Sequence, residues 1–406
     1  MLVDFKDAYR MVLESNIKII GSQRVDFSSS LHRVLARDII AEQNMPLCAV
    51  SNMDGYAFSF DDYELLKNQG LRILDFNPAG SQKTILQRGG AIKTLTGAMM
   101  PENSDTIVII EQVEQYQGML KLKDNTSFLQ RGQWVRQVGD HYCQGEKLLD
   151  RGTRIRAYEI GLLAELNQSF VSVYQKPKVG ILSSGNEVIE VGQERDHLGQ
   201  VRSVNQHLLS AMIQEMGGIP IIKEICQDDF EMLERLFVEL LEECDLIVTT
   251  GGMSKGDFDF TQDVIKKYAN VEFHGINVKP GKPTLFAMSK QKQPKPILGL
   301  PGNPNASALM FYLFGGAIIE KFFGLKKEIP QLKAVLDTPI KRSDSRLEFR
   351  SLELRIKDGV YYVSEESKKS NQSAIINNLC NQSALAVLKE NDLDLDKGSQ
   401  VDIILF

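Results

Sequence analysis

The segment from Lys176 to Phe323 alternates predicted strands with predicted helices, and this pattern limits the fold more than any other feature of the sequence. The short apolar run Lys178–Ser183 predicts a buried strand. Val204–Met216 has apolar residues at helical spacing, Asn205 as its predicted N-cap, and Gly217-Gly218 after it, which favours a helix end. Such alternation is typical of a parallel sheet with crossover helices. We therefore expect an α/β domain, closed by a long apolar helix over Asn305–Phe323.

The sequence on either side of this segment is richer in short strands. Short apolar runs broken by Gly, Pro, Asn and Asp begin after Ala41, among them Leu71–Phe76 and Met119–Leu122, and short strands return after Gly324, so we expect a β-rich domain in each place. Helical patterns extend to about Ile20 and over Arg151–Asn167, and a shorter amphipathic stretch covers Ser30–Arg37. These patterns flank the first β-rich stretch and suggest one domain that it interrupts. The expected fold class is α/β plus β, in a multidomain chain.

Composition argues against several classes of protein. The chain has 406 residues, more than one compact domain usually contains. Its formal net charge of -6 argues against a general nucleic-acid binder. The five cysteines are scattered, with no CxxC pair, which argues against zinc or a disulfide framework. Because no apolar run reaches the ~20 residues of a membrane helix and the first residues lack a signal-peptide layout, we expect a cytoplasmic protein without membrane or nucleic-acid contact.

Two glycine-containing turns follow predicted strands of the α/β segment, at the sheet edge where such folds bind ligands. Ser183–Glu187 offers hydroxyls and N–H groups for a phosphate and the Glu187 carboxylate for a cation, although an ordinary capped glycine turn explains these residues better. Thr249–Gly256 combines three glycines with Ser, Thr and Lys, without Walker A spacing. Asp257 and Asp259 follow it, which suits a phosphate held with Mg²⁺. Helix capping would account for only one of these two acids.

Two proline-containing turns lie further along the same segment. Lys279–Pro283 places two lysines on a stiff turn, where they suit an oxyanion, but a solvated charged turn is an equal alternative. Leu300–Pro304 precedes the closing helix, whose free N–H groups favour an anion, and a simple turn before a helix start is again an equal alternative. All four turns meet at one edge if the strands are parallel. Their convergence predicts a phosphate-handling site.

These turns and an earlier segment together resemble the molybdopterin molybdenumtransferase family, which includes MoeA and the C-terminal region of gephyrin. The resemblance follows the family order along nearly the whole chain. Its most specific elements are Ser51–Ala57, which contains Met-Asp-Gly-Tyr-Ala, and Gly299–Pro304, which contains Leu-Pro-Gly-Asn-Pro. The other matching elements are Thr96–Ala98 with Pro101, Ser183–Glu187, Asp228-Asp229, Thr250–Ser254 with Gly256, and Lys279–Pro283.

The resemblance implies four regions and a homodimer with shared active sites. Residues 1–45 and 140–175 would form a split elongated domain, and residues 46–139 a β-rich domain inserted in it. Residues 176–327 would form the α/β molybdopterin-binding domain, and residues 328–406 a C-terminal β domain. In the dimer, the Met-Asp-Gly-Tyr-Ala segment of one subunit would meet the α/β site of the other.

The resemblance also implies a reaction, in which adenylylated molybdopterin and molybdate give molybdenum cofactor and AMP with Mg²⁺. The implied catalytic residues are Asp54, Glu187, Asp259, Lys279 and Lys282, and the implied magnesium ligands are Asp54, Glu187, Asp228 and Asp259. The implied substrate-binding residues are Thr96, Ser184, Gly251, Gly252, Ser254, Pro301, Asn303, Pro304, Ser307 and Arg350. Arg350 lies with Arg346 in a segment similar to a conserved C-terminal stretch of the family.

Three positions depart from the family pattern. Asn186 and His141 each replace an aspartate, and Ala306 replaces a serine. The resemblance further implies transient contact with the upstream adenylyltransferase and with proteins that accept the cofactor. Two other functions stay open: a non-catalytic binding or scaffold protein of the same fold, and a molybdopterin adenylyltransferase.

Overall fold

The computed structural model describes residues 2–124, 126, 128–227, 229–252, 260–366, 368, 374–390 and 392–405. Two compact units make up the chain. The large unit comprises Met1–Ala36, Arg154–Ile160 and Phe170–Phe406, and the small unit comprises Arg37–Thr153 and Gly161–Ser169. Within the described ranges, no helix has the length and apolar character that crossing a membrane requires.

The large unit begins with helix α1 (Phe5–Glu14) and strand β1 (Ser22–Asp26). Asp4 caps α1 by accepting hydrogen bonds from two backbone N–H groups of the first turn. The helix is shorter than the pattern predicts, because the backbone becomes extended at Ser15 and the Ser15 hydroxyl donates to the Val12 carbonyl.

The stretch Ser30–Arg37, which is amphipathic in sequence, is not helical. Val34 forms a β-bridge with Arg154, and Leu35 forms one with Val173. Both apolar side chains are fully or almost fully buried by these long-range pairings. Tertiary contacts therefore override the local pattern here.

The small unit is built on strands. They are β2 (Ile39–Ile40), β3 (Val50–Ser51), β4 (Gly55–Phe58), β5 (Leu71–Asn77), β6 (Gly90–Thr94), β7 (Thr106–Ile109), β8 (Val113–Tyr116), β9 (Met119–Leu122), β10 (Val135–Arg136) and β11 (Lys147–Leu149), with helix α2 (Tyr63–Asn68). Six strands form one sheet in the order β7-β4-β6-β5-β9-β8. Tyr56, Phe58 and Leu120 are buried in its core. The predicted strands at residues 71–76 and 119–122 are confirmed.

The central part of the large unit is the predicted α/β domain. Helix α3 (Ala157–Glu165), which precedes this domain in the chain, has residues in both units. The elements that follow it are β12 (Phe170–Tyr174), β13 (Lys178–Ser183), β14 (Val188–Ile189), β15 (Val201–Arg202), α4 (Val204–Glu215), β16 (Ile219–Ile222), α5 (Phe230–Glu243), β17 (Leu246–Thr250), α6 (Phe260–Tyr268), β18 (Ala269–His274), β19 (Val278–Lys279), β20 (Leu285–Ser289), β21 (Pro296–Leu300), α7 (Pro304–Met310) and α8 (Gly316–Phe322). The sheet order is β16-β13-β17-β21-β20-β18, and its first four strands are parallel. The expected parallel sheet is confirmed.

Both faces of this sheet are covered. Along β13, Val179 and Ile181 join one apolar cluster while Leu182 joins the other, as the two-residue period of a strand requires. The closing helix is continuous through five π-helical residues, Phe311–Gly315, between α7 and α8. Parallel strands with both faces buried put their carboxyl ends, and the turns that follow, at one edge.

The C-terminal strands close into a small barrel. They are β22 (Leu332–Leu336), β23 (Leu347–Lys357), β24 (Val360–Ser364), β25 (Ser383–Leu388) and β26 (Gln400–Ile404). The order β23-β24-β22-β26-β25 is closed by pairing of β25 with β23. Strand β19 of the α/β domain adds to β23 in parallel, with Lys279 opposite Glu348. Phe349 packs edge-on against Phe5 of α1 at 5.3 Å between ring centroids, so the barrel also contacts the first helix.

Replacing Glu159 by Gln is expected to destabilise the protein at pH 7 and to have a much smaller effect at pH 2. Glu159 accepts hydrogen bonds from the backbone N–H and guanidinium of Arg156 at the start of α3, and the Arg156 side chain lowers the pKa of Glu159 from 4.5 to about 2. A lowered carboxyl pKa adds stability that is present above pH 4.5 and is lost as the pH falls through 2. Urea denaturation should show a loss of about 1 kcal/mol at neutral pH.

The matched control is Glu231→Gln, which changes an exposed glutamate in the first turn of α5. This control should have little effect at either pH. An equal loss for Glu159→Gln at both pH values would contradict the electrostatic explanation.

Candidate functional site

Two neighbouring cavities lie at the carboxyl edge of the α/β sheet. The first, which we call the glycine-loop cavity, has a volume of about 570 Å³. Its wall carries hydroxyls, small backbone turns and two arginines. Its lining includes Ser183, Ser184, Glu187, Arg195, Arg202, Asn205, Thr250, Gly251, Gly302, Asn303 and Pro304.

The turns after β13 and β17 lie against each other in this cavity. Ser184 donates its backbone N–H to the Thr250 carbonyl at 3.1 Å, and the Thr250 hydroxyl donates to that of Ser183 at 3.1 Å. Gly251 has φ +88°, and a Cβ there would lie 2.5 Å from the Ser184 carbonyl oxygen. Only glycine fits both the conformation and the close approach. The result is a narrow wall of hydroxyls and backbone groups suited to a phosphate.

The second cavity, which we call the lysine cavity, has a volume of about 500 Å³. It lies between the turn after β19, the turn before α7, and strand β23 of the barrel. Its lining includes Lys279, Pro280, Gly281, Lys282, Pro301, Gly302, Asn303, Asn305, Ala306, Arg346, Glu348 and Arg350. Gly302 and Asn303 also line the glycine-loop cavity, so the two cavities share part of their wall.

Two lysines on the turn after β19 contribute positive charge to the lysine cavity. Lys279 is about a quarter exposed and lies 3.4 Å from Glu348, measured from Nζ to Oε1. Lys282 is exposed, and among the described residues no carboxylate lies within salt-bridge distance of it. Between them, Gly281 has φ +112° and approaches Met310 so closely that a Cβ would lie 2.5 Å from its sulfur. The glycine lets this lysine turn pack onto α7.

Ion pairs, of which Arg350–Glu348 is buried and Arg346–Asp344 partly exposed, lie on the barrel side of the lysine cavity. Arg350 donates through Nε to Glu348 at 2.9 Å and through Nη1 to Glu365 at 3.1 Å, and it is 4% exposed. Arg346 pairs with Asp344, whose pKa it lowers below its ordinary value. All three nitrogens of Arg350 contact carboxylate or carbonyl oxygens of the protein.

The charges of this cluster match a dianion. The described cations are Lys279, Lys282, Arg342, Arg346 and Arg350, and the described carboxylates paired with them are Asp344, Glu348 and Glu365. Five positive charges against three negative ones leave a net charge of +2. A tetrahedral dianion placed among them would neutralise the cluster.

Two acceptor atoms at this cavity make no hydrogen bond to any described residue. They are Oε2 of Glu348 and Oδ1 of Asn305, on residues that are 2% and 7% exposed. Buried acceptors normally have partners, and the nearest described cation to Oε2 of Glu348 is Nε of Arg342 at 3.8 Å, an ion-pair contact beyond hydrogen-bond distance. The sequence pattern predicts neither residue as part of the site. Only the position of Glu348, between Arg346 and Arg350, could have indicated an ion pair there.

In the small unit, Asp54 and Thr96 are in direct contact. Oδ1 of Asp54 accepts hydrogen bonds from the backbone N–H and the hydroxyl of Thr96, both at 2.7 Å. These bonds lower the pKa of Asp54, which keeps its exposed carboxylate ionised. The two residues lie on the loops before β4 and after β6.

Most of the other predicted site residues that the structure describes line one of the two cavities. Ser184, Glu187, Gly251, Asn303 and Pro304 line the glycine-loop cavity, with Gly252 next along the chain, while Pro301 and Arg350 line the lysine cavity. Ser307 is fully buried, and it lines neither cavity. Asp228, Ser254 and Asp259 lie outside the described residues.

The glycine-loop cavity differs from the prediction at α4. Asn205 is not the N-cap, a position taken by Ser203. Its side-chain amide instead donates to the Gly302 carbonyl at 2.8 Å. Arg195 also lines this cavity, and neither residue was among the predicted site residues. The bond from Asn205 connects α4 to the turn that both cavities share.

The described residues supply some, but not all, of the ligands that a magnesium ion needs. Glu187 is exposed in the glycine-loop cavity and lies close over Gly185, where a Cβ would be 2.8 Å from its carboxylate. Carboxylate and hydroxyl oxygens are hard ligands that suit Mg²⁺. Among the residues that the structure describes, no group of three or more His, Cys, Asp or Glu side chains could hold a metal ion.

Sequence comparison relates the chain to two protein families. Residues 3–167 match the family described as MoeA N-terminal region (domain I and II). Residues 180–321 match the family described as probable molybdopterin binding domain. The two matches cover the first segment of the large unit, nearly all of the small unit and most of the α/β domain.

Individual relatives match the chain over most of their length. A molybdopterin molybdenumtransferase of Haemophilus influenzae is 30% identical over 356 residues, which are 87% of this chain and 84% of the relative. One of Nostoc sp. is 31% identical over 392 residues, which are 94% of this chain and 88% of the relative. The crystal structure of the molybdopterin biosynthesis MoeA protein from Pyrococcus horikoshii OT3 superimposes with a TM-score of 0.84 at 26% identity and covers 100% of both chains. Sequence and fold thus agree, and the expected multidomain α/β plus β class is confirmed.

Proposed function

We propose that this chain, which belongs to the molybdopterin molybdenumtransferase family, is a molybdenum insertase acting on adenylylated molybdopterin and molybdate. Membership of the family makes the chain a transferase of molybdenum-cofactor biosynthesis. The adenylylated substrate, the magnesium ion and the roles of individual residues are the proposal. The products are molybdenum cofactor and AMP.

The pair of adjoining cavities is the observation that supports this reaction. The glycine-loop cavity offers hydroxyls and backbone N–H groups to the nucleotide and its phosphates. The ion-pair cluster at the lysine cavity carries a net charge of +2, which suits molybdate, a tetrahedral dianion. Because Gly302 and Asn303 line both cavities, the two substrates would meet at this shared wall.

Each group of residues has a distinct role in the proposed mechanism. Lys279 and Lys282 bind and orient the oxyanion, and they stabilise negative charge as the phosphoanhydride bond breaks. Ser184, Gly251 and Asn303 hold the nucleotide-bearing substrate in place. Magnesium would neutralise the pyrophosphate when bound, and its proposed ligands are Asp54, Glu187, Asp228 and Asp259.

We propose the assembly from the family as well. Two copies would share active sites, with the segment around Asp54 from one copy meeting the α/β site of the other. The contacts between Asp54 and Thr96 support this role, since they hold an ionised carboxylate on the surface of the small unit. The four-domain partition, the cytoplasmic location and transient contact with the upstream adenylyltransferase and the cofactor acceptors stay predictions.

The test is to incubate the purified chain with adenylylated molybdopterin, Mg²⁺ and molybdate and to follow AMP release by chromatography. We expect release that requires molybdate, and that stops when a chelator removes Mg²⁺. Sulfate at the same concentration is the matched control, because it is also a tetrahedral dianion. It should not replace molybdate in the reaction.

The same assay separates the alternatives. Binding of adenylylated molybdopterin without any AMP release would contradict the insertase and favour a scaffold protein. Incorporation of AMP from ATP into molybdopterin would identify an adenylyltransferase instead. AMP release at the same rate with and without molybdate would indicate simple hydrolysis.

A further inference from the structure

We propose that Glu348 is a positioning residue, which holds Lys279 at the wall of the lysine cavity so that its ammonium group binds the oxyanion. This inference rests on the proposed function, because that proposal assigns molybdate to the lysine cavity. Glu348 itself is not among the residues that the family resemblance implies.

The backbone places Glu348 and Lys279 in register. Lys279 ends strand β19 of the α/β domain, and Glu348 lies directly opposite it on strand β23 of the barrel. The adjacent pair Val278 and Leu347 continues this parallel pairing of β19 with β23. The Lys279–Glu348 pair therefore links two domains of the large unit at the edge of the cavity.

Glu348 is held more firmly than Lys279. Its Oε1 accepts from Nε and Nη2 of Arg350 at 2.9 and 2.8 Å. Arg350 is fixed in turn by the Lys341 carbonyl and Glu365, each at 3.1 Å from Nη1. The same Oε1 lies 3.4 Å from Nζ of Lys279, which is the more exposed and more flexible partner. Arg350 therefore fixes the Glu348 carboxylate, and Glu348 in turn holds the Lys279 ammonium group.

A buried carboxylate in the wall of an anion cavity repels the anion unless neighbouring cations compensate its charge. Glu348 is 2% exposed, and Lys279, Arg342 and Arg350 surround it and compensate its charge. Lys279 and Lys282 are close in sequence on one turn, so without a carboxylate their like charges favour separation. We expect Lys279 to turn toward solvent once Glu348 loses its charge, which removes a donor from the cavity.

A double-mutant cycle with full-length protein tests this role, with molybdate binding measured by calorimetry. We expect Glu348→Gln to weaken molybdate binding about tenfold, the effect of losing one charged contact. Glu348→Asp keeps the charge but cannot reach Lys279 and Arg350 together, so it should also weaken binding. In a Lys279→Ala background, Glu348→Gln should add nothing further. The control is Glu353→Gln, which removes an identically spaced glutamate–arginine pair on the same strand outside the cavity.

These measurements distinguish the positioning of Lys279 from a general loss of structure, and both from a failure of the chain to bind molybdate. Titration with AMP reports the glycine-loop cavity, and its affinity should not change in any of these variants. Equal or tighter molybdate binding by Glu348→Gln would overturn the positioning role, since it would mean that the carboxylate only repels the anion. Additive losses in the cycle would overturn it too. A failure of the unmodified chain to bind molybdate would overturn the proposed function together with this inference.

Discussion

Replacing Lys279 by Ala should reduce molybdate-dependent AMP release by about 100- to 1000-fold, the usual effect of removing one donor that stabilises an oxyanion. Of the two lysines on this turn, Lys279 is the one paired with a residue of the barrel, since its Nζ lies 3.4 Å from Oε1 of Glu348. Its removal takes away a positive charge and also leaves the buried carboxylate of Glu348 with one cation fewer. The measurement is initial-rate AMP release at several molybdate concentrations.

The control for this prediction is Lys333→Ala. Lys333 also belongs to a salt bridge of the large unit, with Asp402 at 2.6 Å, but it does not line the lysine cavity. It should leave AMP release unchanged. Lys279→Met keeps most of the aliphatic stem and should lose as much activity as Lys279→Ala, because the charge is the lost feature. Normal rates in either Lys279 variant would remove this residue from the proposed mechanism.

The fold was predictable where apolar patterns are strong and local. The run Lys178–Ser183 is apolar on both faces and becomes β13 over the same residues. Val204–Met216 becomes α4 with a difference of one residue at its end. The pattern fails over Ser30–Arg37, because there two distant segments pair with the chain. A local pattern carries no information about such partners.

The candidate site was predictable where a turn has an unusual composition. The lysine turn and the turn at Leu300–Pro304 both line a cavity. Glu348 was not predictable, because its proximity to Lys279 depends on the pairing of β19 with β23, two strands far apart in sequence. Ser307 is the opposite case, because the sequence predicts it in the site but its side chain in α7 is fully buried and lines neither cavity. Helical periodicity predicts whether a side chain such as that of Ser307 faces the core or the cavity only when the first residue of the helix is known.

Replacing Gly251 by Ala is expected to lower the free energy of unfolding by about 2–4 kcal/mol and to abolish most AMP release. Part of the loss is conformational, because a residue with a side chain is strained at φ +88°. The larger part is steric, since the new Cβ would lie 2.5 Å from the carbonyl oxygen of Ser184, a backbone atom that cannot rotate away. The turns after β13 and β17 would therefore have to separate, and the phosphate-binding wall between them would widen.

Gly398 provides a control that isolates the steric part. It has φ +87°, almost the same backbone conformation, but a Cβ there would have nothing within 4 Å. Gly398→Ala should therefore lose only about 1–2 kcal/mol and keep full activity. Scanning calorimetry, AMP titration and AMP release on both variants compare the two positions directly. If Gly251→Ala proved no less stable and no less active than Gly398→Ala, the close contact between the two turns would not be what shapes the glycine-loop cavity.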